Sequence, residues 1–257
     1  MGQRLKGLPI PPKSMRWGVG PFADAELFVN SGQEHLSLVK RLAHLKETHK
    51  VLDVGCGCGR ISIHMQQFLN ASGSYTGFDP DRAAIEWCNQ NIARDDSRFT
   101  FHHLNLVAPP FSLEGNYLAE DLQFPDVLDV DLAILSSVFT HMLEPGIENY
   151  IRNLKRVVKI GGRCLVSGLL MNQATQAAVL QGSSAFSFTH PVGPGCWTFN
   201  PDNPTEGISN EETWIFNLFE ESGFEKENIE YGNWRQQDRD DSHQLHDWFT
   251  VKKVATP

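Results

Sequence analysis

Two periods run through the apolar positions of this chain. Short, mostly apolar runs at 51–54, 131–138 and 163–170 have the length and continuity of strands buried on both faces of a parallel sheet. Residues 74–79 and 98–104 read as two further strands. Between the strands the period becomes helical. Ile61, Met65, Phe68 and Leu69 recur on one face, and Ile85, Cys88 and Ile92 on another. Ile147, Tyr150, Ile151, Leu154 and Val158 form the cleanest amphipathic stripe, with Pro145 suited to its first turn and Gly161-Gly162 ending it. Strand and helix therefore alternate from 51 to about 170, which predicts an α/β domain with a doubly wound, mostly parallel sheet.

The flanks break this rhythm. A helix packing Trp214, Ile215, Leu218 and Phe219 ends at Gly223, and two strands follow near 228–234 and 245–252. The loop between those strands is too short for a crossover helix, so they are expected to pair as an antiparallel hairpin. Residues 1–48 read as an N-terminal helical extension and 49–257 as the main domain. In the extension, two helical pieces are expected, broken near Ser31-Gly32. It serves either as a brace on the sheet or as a cap over a ligand crevice, and in the second case Arg16 and Trp17 are substrate contacts. From 171 to about 210 neither period is visible, yet the segment holds Phe186, Phe188, His190, Trp197 and Phe199. That is too aromatic for a disordered linker. It reads as an ordered lid or substrate-binding insert, with Phe186, Phe188 and Trp197 as apolar walls and His190 carried to the reacting centre.

The first strand runs straight into a glycine turn. Asp53, Gly55, Gly57 and Gly59 alternate with Val54, Cys56 and Cys58, and the helix begins directly afterwards. Glycines allow a tight turn and a close approach of a ligand to bare backbone, and the N-H groups opening a helix attract negative charge. A dinucleotide fingerprint would need glycine where Arg60 stands. The acid Asp79 closes the next strand, roughly 20 residues beyond Gly59, the distance expected for a carboxylate that accepts from ribose hydroxyls. Alone it could equally cap the following helix. Pro80 offers a compact apolar surface beside it.

This strand-turn-helix resembles the first motif of the class I S-adenosylmethionine-dependent methyltransferases. The resemblance covers 51 to about 170 well and extends more loosely to 251. It implies a Rossmann-like, seven-stranded sheet ending in one reversed strand, with S-adenosylmethionine as cofactor. The implied ligand has an amino-acid tail rather than a pyrophosphate, which suits acidic Asp53 beside the N-H groups of Gly55, Cys56, Gly57 and Gly59. It also implies a polar contact to the adenine amine after the third strand, here Asn105. Ser136 and Ser137 end the fourth strand, so they converge with Asp53, Asp79 and Asn105 on one crevice at the carboxyl ends.

An acceptor nitrogen of adenine or glutamine would call for Asn/Asp-Pro-Pro-Tyr/Phe after that strand. The chain has Ser136-Ser137-Val138-Phe139. An oxygen acceptor is therefore favoured by elimination, with His141 and His190 as candidate general bases. Within the class, residues 55–60, 85–88, 136–142 and 186–188 resemble a bacterial subgroup acting on small molecules or glycans, which implies an acceptor of that kind. Net charge of −9 argues against nucleic acid as the principal partner. Five cysteines make no paired framework, and C-x-x-C and H-E-x-x-H are absent, so no metal is expected. With neither a leader nor a membrane span apparent, a cytoplasmic location is expected. Two other functions stay open: a dinucleotide-dependent oxidoreductase, and a cofactor-binding protein without catalysis.

Overall fold

The computed structural model describes residues 3–20, 22–109, 112, 113, 115–236 and 245–255. Its centre is a seven-stranded sheet. The strands are β1 (Lys50–Val54), β2 (Ser74–Asp79), β3 (Phe99–His103), β4 (Val130–Leu135), β5 (Val158–Gly168), β6 (Phe224–Glu230) and β7 (Asp247–Lys253). Their order across the sheet is β6-β7-β5-β4-β1-β2-β3. β1 to β5 run parallel, and β7 is antiparallel to both β5 and β6. The terminal hairpin thus forms as expected, and β7 inserts between β6 and β5. Successive strands step outward from β1 in one direction, then from β4 in the other. The order reverses between the paired strands β1 and β4, and beyond their carboxyl ends is where an open α/β sheet forms a crevice.

Strand alternation divides the core. On one face Val51 and Tyr75 pack with α1 (Ala25–Ala43), α2 (Ser62–Phe68) and α3 (Arg82–Asn91). On the other, Leu52, Val54 and Phe78 pack with α4 (Glu144–Val157) and α6 (Glu212–Glu221). Successive residues of a strand face opposite sides, so a near-continuous apolar run feeds both layers. Among the described residues, no helix is long and apolar enough to cross a membrane.

Two regions differ from the sequence expectation. α1 is one helix of 19 residues, capped by the Asp24 carboxylate, which accepts the N-H groups of Glu26 and Leu27. It passes unbroken through Ser31-Gly32. Gly32 is there for proximity rather than for a break: a Cβ would stand 2.3 Å from the Arg60 carbonyl oxygen and 2.8 Å from His64 Cδ2. The imidazole Nε2 of His64 donates to the Val29 carbonyl at 2.9 Å, joining α2 to the same turn of α1.

The segment from 171 to 210 is also more regular than its pattern. It contains α5 (Gln173–Leu180) and strands His190–Gly193, Cys196–Thr198 and Ile208–Glu211, which join Leu170–Met171 in a second, four-stranded sheet. Strands this short carry too few residues to show a period. Phe186, Phe188 and Phe199 surround one another and Phe188 abuts Trp234, with centroids 5.6–5.8 Å apart. Phe188 is buried. Replacing it by alanine is expected to cost roughly 3–5 kcal/mol of stability, with little change in ligand affinity. Denaturant melts beside ligand titrations check this, and an unmoved midpoint would contradict it.

Candidate active site

A cavity of about 1600 Å³ opens over the carboxyl ends of β1, β2 and β4. Pockets for one small molecule usually measure 300–1,000 Å³, so this one has room for two ligands. The glycine turn forms its floor. Gly55, Gly57 and Gly59 have φ of 76°, 53° and 83°, left-handed values that a side chain would strain. The N-H groups of Gly55 and Cys56 donate to the Phe78 carbonyl at 2.8 and 3.2 Å. Asp79 fastens the turn from the next strand: its carboxylate accepts the Gly57 N-H and the Asp81 N-H, each at 2.8 Å. The ribose acid and the turn, separate in sequence, are one hydrogen-bonded unit.

Two buried carboxyls face this space. Burial pushes Asp79 up to about 6, against the opposing pull of the Asp81 and Gly57 N-H groups. Burial pushes Asp53 up to about 7, although Tyr75 donates its hydroxyl to the same group and Arg60 lies near. Both acids therefore titrate within reach of neutral pH in the protein without ligand.

The turn after β4 is rigid for a different reason. Ser137 has φ of 60° without being glycine. Its N-H donates to Ser167 Oγ at 2.7 Å, and its hydroxyl shares a hydrogen bond with Thr140 Oγ1 at 2.9 Å. One turn on, His141 Nδ1 stands 2.9 Å from the Thr205 carbonyl. Since a carbonyl can only accept, Nδ1 carries the proton and Nε2 is the basic nitrogen of the neutral ring. Burial lowers the His141 pKa from its usual 6.5, so the ring is neutral at pH 7.

The structure gathers many of the sequence-derived residues and disperses others. Trp17, Asp53, Gly55, Cys56, Asp79 and Pro80 line the cavity, as do Ser136, Ser137 and His141. Gly57 and Gly59 shape the turn without reaching the wall. A Cβ on Gly57 would meet Val19 Cγ1 at 2.2 Å, and one on Gly59 would meet Ser62 Oγ at 2.7 Å. At Asn105 the neighbours Leu104 and Leu106 line the cavity, while its own carbonyl accepts the N-H groups of Asn116 and Tyr117. Arg16 is buried, with Nε and Nη1 lacking hydrogen-bond partners, and it does not line the cavity. Phe186, Phe188 and Trp197 lie in or against the cluster around Trp234. His190 is exposed on the edge strand of the small sheet, away from the cavity wall.

Among the wall residues that escaped the sequence reading are His35, Arg60, His246 and Trp248. His35 belongs to a stripe of α1 that includes Leu27, Ser31, Glu34, Leu38 and Arg41, all lining the cavity at helical spacing. That stripe is visible only if the helix is read through Gly32. His246 and Trp248 arrive by pairing of β7 with β5, Trp248 opposite Ser167, a contact no local pattern encodes. The five cysteines are all unpaired and buried. Burial pushes the thiols of Cys56 and Cys88 well up and that of Cys58 to about 12, which makes them packing groups.

Comparison with known proteins agrees with this geometry. Residues 51–162 match a family model described as a methyltransferase domain. An uncharacterised methyltransferase of Schizosaccharomyces pombe is 25% identical over 188 residues, covering 68% of this chain and 64% of that protein. The ribosomal protein L11 methyltransferase of Burkholderia thailandensis is 28% identical over 128 residues, covering 50% of this chain and 34% of that protein. The chain thus matches between a third and two thirds of the length of these relatives. Among solved structures, a methyltransferase of Methanosarcina mazei superposes with a TM-score of 0.52 at 20% identity, covering 82% of this chain and 95% of its own. The [4+2]-cyclase SpnF superposes with a TM-score of 0.57 at 18% identity, covering 87% and 82%. Those two likenesses establish the fold.

Proposed function

From the premise that this chain carries a methyltransferase domain of the class I S-adenosylmethionine-dependent family, we propose that it moves a methyl group to an oxygen of a small-molecule or glycan acceptor by in-line displacement. The observation that carries the reading is the joining of Asp79 to the glycine turn on the wall of a two-ligand cavity that also holds His141. The donor set fits the cofactor. Asp79 would take the ribose hydroxyls, Asp53 the ammonium group, and Pro80, Leu104 and Leu106 the flat base. When bound, S-adenosylmethionine supplies an electrophilic methyl group and the leaving sulfide.

The chain's own residues would do three things. The glycine turn and Asp79 hold one partner at the switch point. The α1 stripe and Trp17 cover the cavity and exclude water, which strengthens electrostatic positioning inside it. His141 Nε2 receives the acceptor's hydroxyl proton, the ring being oriented by the Thr205 carbonyl. The acidic total charge favours small acceptors over nucleic acid.

Transfer of labelled methyl to paired acceptors tests the choice of atom. Members of each pair differ only in hydroxyl against amine. The hydroxyl member is expected to be methylated and the amine member to be methylated far more slowly. Equal labelling would contradict an oxygen acceptor.

A further inference from the structure

The wall of the cavity that runs from the end of the glycine turn to α1 has a chemistry of its own. Arg60 lines it, with its guanidinium 5.3 Å from the centre of the Phe22 ring. One guanidinium nitrogen makes a long contact, 3.5 Å, to the Ser31 carbonyl, and Nε is buried with no hydrogen-bond partner. His35 lines the same space, buried, and its Nε2 also has no partner. The His35 ring lies 5.1 Å from that of Trp248. Burial lowers the pKa of His35 and, with His141 next, takes His246 to about 4, and the Arg60 charge adds a smaller lowering to each. Buried donors without acceptors are costly, each by about the desolvation of the group. A cation with an unpaired N-H, on a wall that also carries the unpaired Nε2 of His35 (a donor in the tautomer that has its proton there), suits an anion lying against Phe22 and Trp248.

The acids nearby leave both of these nitrogens without a hydrogen-bond acceptor. Asp53 attracts Arg60 and opposes the lowering of its pKa by burial, but its carboxylate takes the Tyr75 hydroxyl and makes no hydrogen bond to Arg60 Nε. Asp79 is engaged by two backbone N-H groups. Arg41, also on the wall, is already paired with Glu230, at 3.1 Å for one nitrogen. Glu34 is exposed, and its position on α1 adjoins His35 without supplying any hydrogen bond to the two orphaned nitrogens.

We infer that the methyl acceptor is a planar organic anion, whose carboxylate is received by Arg60 and His35 while its ring lies against Phe22 and Trp248. This rests on the methyltransferase reading above and adds to it the chemical class of the acceptor. The anion anchors the acceptor; the hydroxyl that is methylated is a separate group, left to face His141.

The test is binding to the full chain saturated with S-adenosylhomocysteine, so that the cofactor's own carboxylate is already in place. Paired probes are 4-hydroxybenzoate with 4-hydroxybenzamide, and indole-3-acetate with its amide, titrated by tryptophan fluorescence. A charge-assisted bidentate contact predicts that at least one carboxylate binds about 10- to 100-fold more tightly than its amide. Arg60→Met should bring that ratio near one while affinity for S-adenosylhomocysteine is kept. No preference for either carboxylate in the unaltered protein overturns the inference, and that arm needs no variant. So does a preference that survives Arg60→Met. A third result would overturn it differently: Arg60→Met weakening S-adenosylmethionine but not its decarboxylated analogue would put the cofactor's carboxylate on Arg60. Failure of the unaltered protein to bind S-adenosylhomocysteine at all would instead strike the methyltransferase reading itself.

Discussion

Asp79→Ala is expected to weaken S-adenosylmethionine binding by about 100-fold or more. Two losses combine in this variant. One is the pair of charge-assisted hydrogen bonds to ribose hydroxyls, roughly 1.5–3 kcal/mol each. The other is the acceptor that holds the Gly57 N-H at 2.8 Å and so shapes the turn. Asp79→Asn separates them, because an amide oxygen can still take the Gly57 N-H but carries no charge. It should lose less affinity and less stability than alanine, although its amide NH2 then faces the Asp81 N-H that the second carboxylate oxygen accepts. A pH dependence follows with a definite sign. Burial raises Asp79 to about 6, so acidification below that value protonates the group before ligand arrives. Affinity for the cofactor should therefore fall as pH drops through 7 and then 6, where Asp53 and Asp79 in turn take up a proton, and in Asp79→Asn the part of the fall near 6 should flatten while that near 7 stays. Calorimetry at pH 5 and pH 8 on the three proteins would show it; unchanged affinity in the alanine variant would remove Asp79 from the cofactor site.

The second large effect belongs to His141. His141→Ala is expected to lower kcat by about 10²- to 10⁴-fold, the range usual for a positioned general base, with cofactor affinity unchanged. The geometry makes the ring a base rather than an acid at neutral pH. Thr205 fixes the proton on Nδ1, and burial disfavours the imidazolium. Because the pKa is lowered, the basic form persists below 6.5, and the acidic limb of the kcat profile should lie below that value. His141→Gln should lack the limb. A rate that survives both substitutions would mean that the acceptor loses its proton without help from this residue.

How far the sequence led depends on which contacts are local. The glycine turn, Asp53 and Asp79 lie within consecutive strands and turns, where period and spacing speak directly, and all of them meet at one cavity end. The hairpin of β6 and β7 was legible for the same reason: the loop was too short for anything else. α1 was harder. Gly32 reads as a break because glycine weakens a helix, whereas its missing side chain is what lets the Arg60 backbone approach. The stripe bearing His35 was lost with it. The segment from 171 to 210 misled in another way. Its aromatics do cluster, but on Trp234, a residue contributed from beyond α6, and so toward a second sheet. His246 and Trp248 depend on the register of β7 against β5, set between residues about 80 apart in the chain and invisible to any window.

The most direct measurement of the central claim is calorimetric titration of the unaltered protein with S-adenosylmethionine, S-adenosylhomocysteine and, as a competing class of nucleotide, NAD. The account predicts saturable binding of the two sulfur nucleotides at one site per chain and no binding of NAD, since Arg60 stands where the pyrophosphate turn needs glycine. Binding of NAD with no binding of either sulfur nucleotide would contradict it.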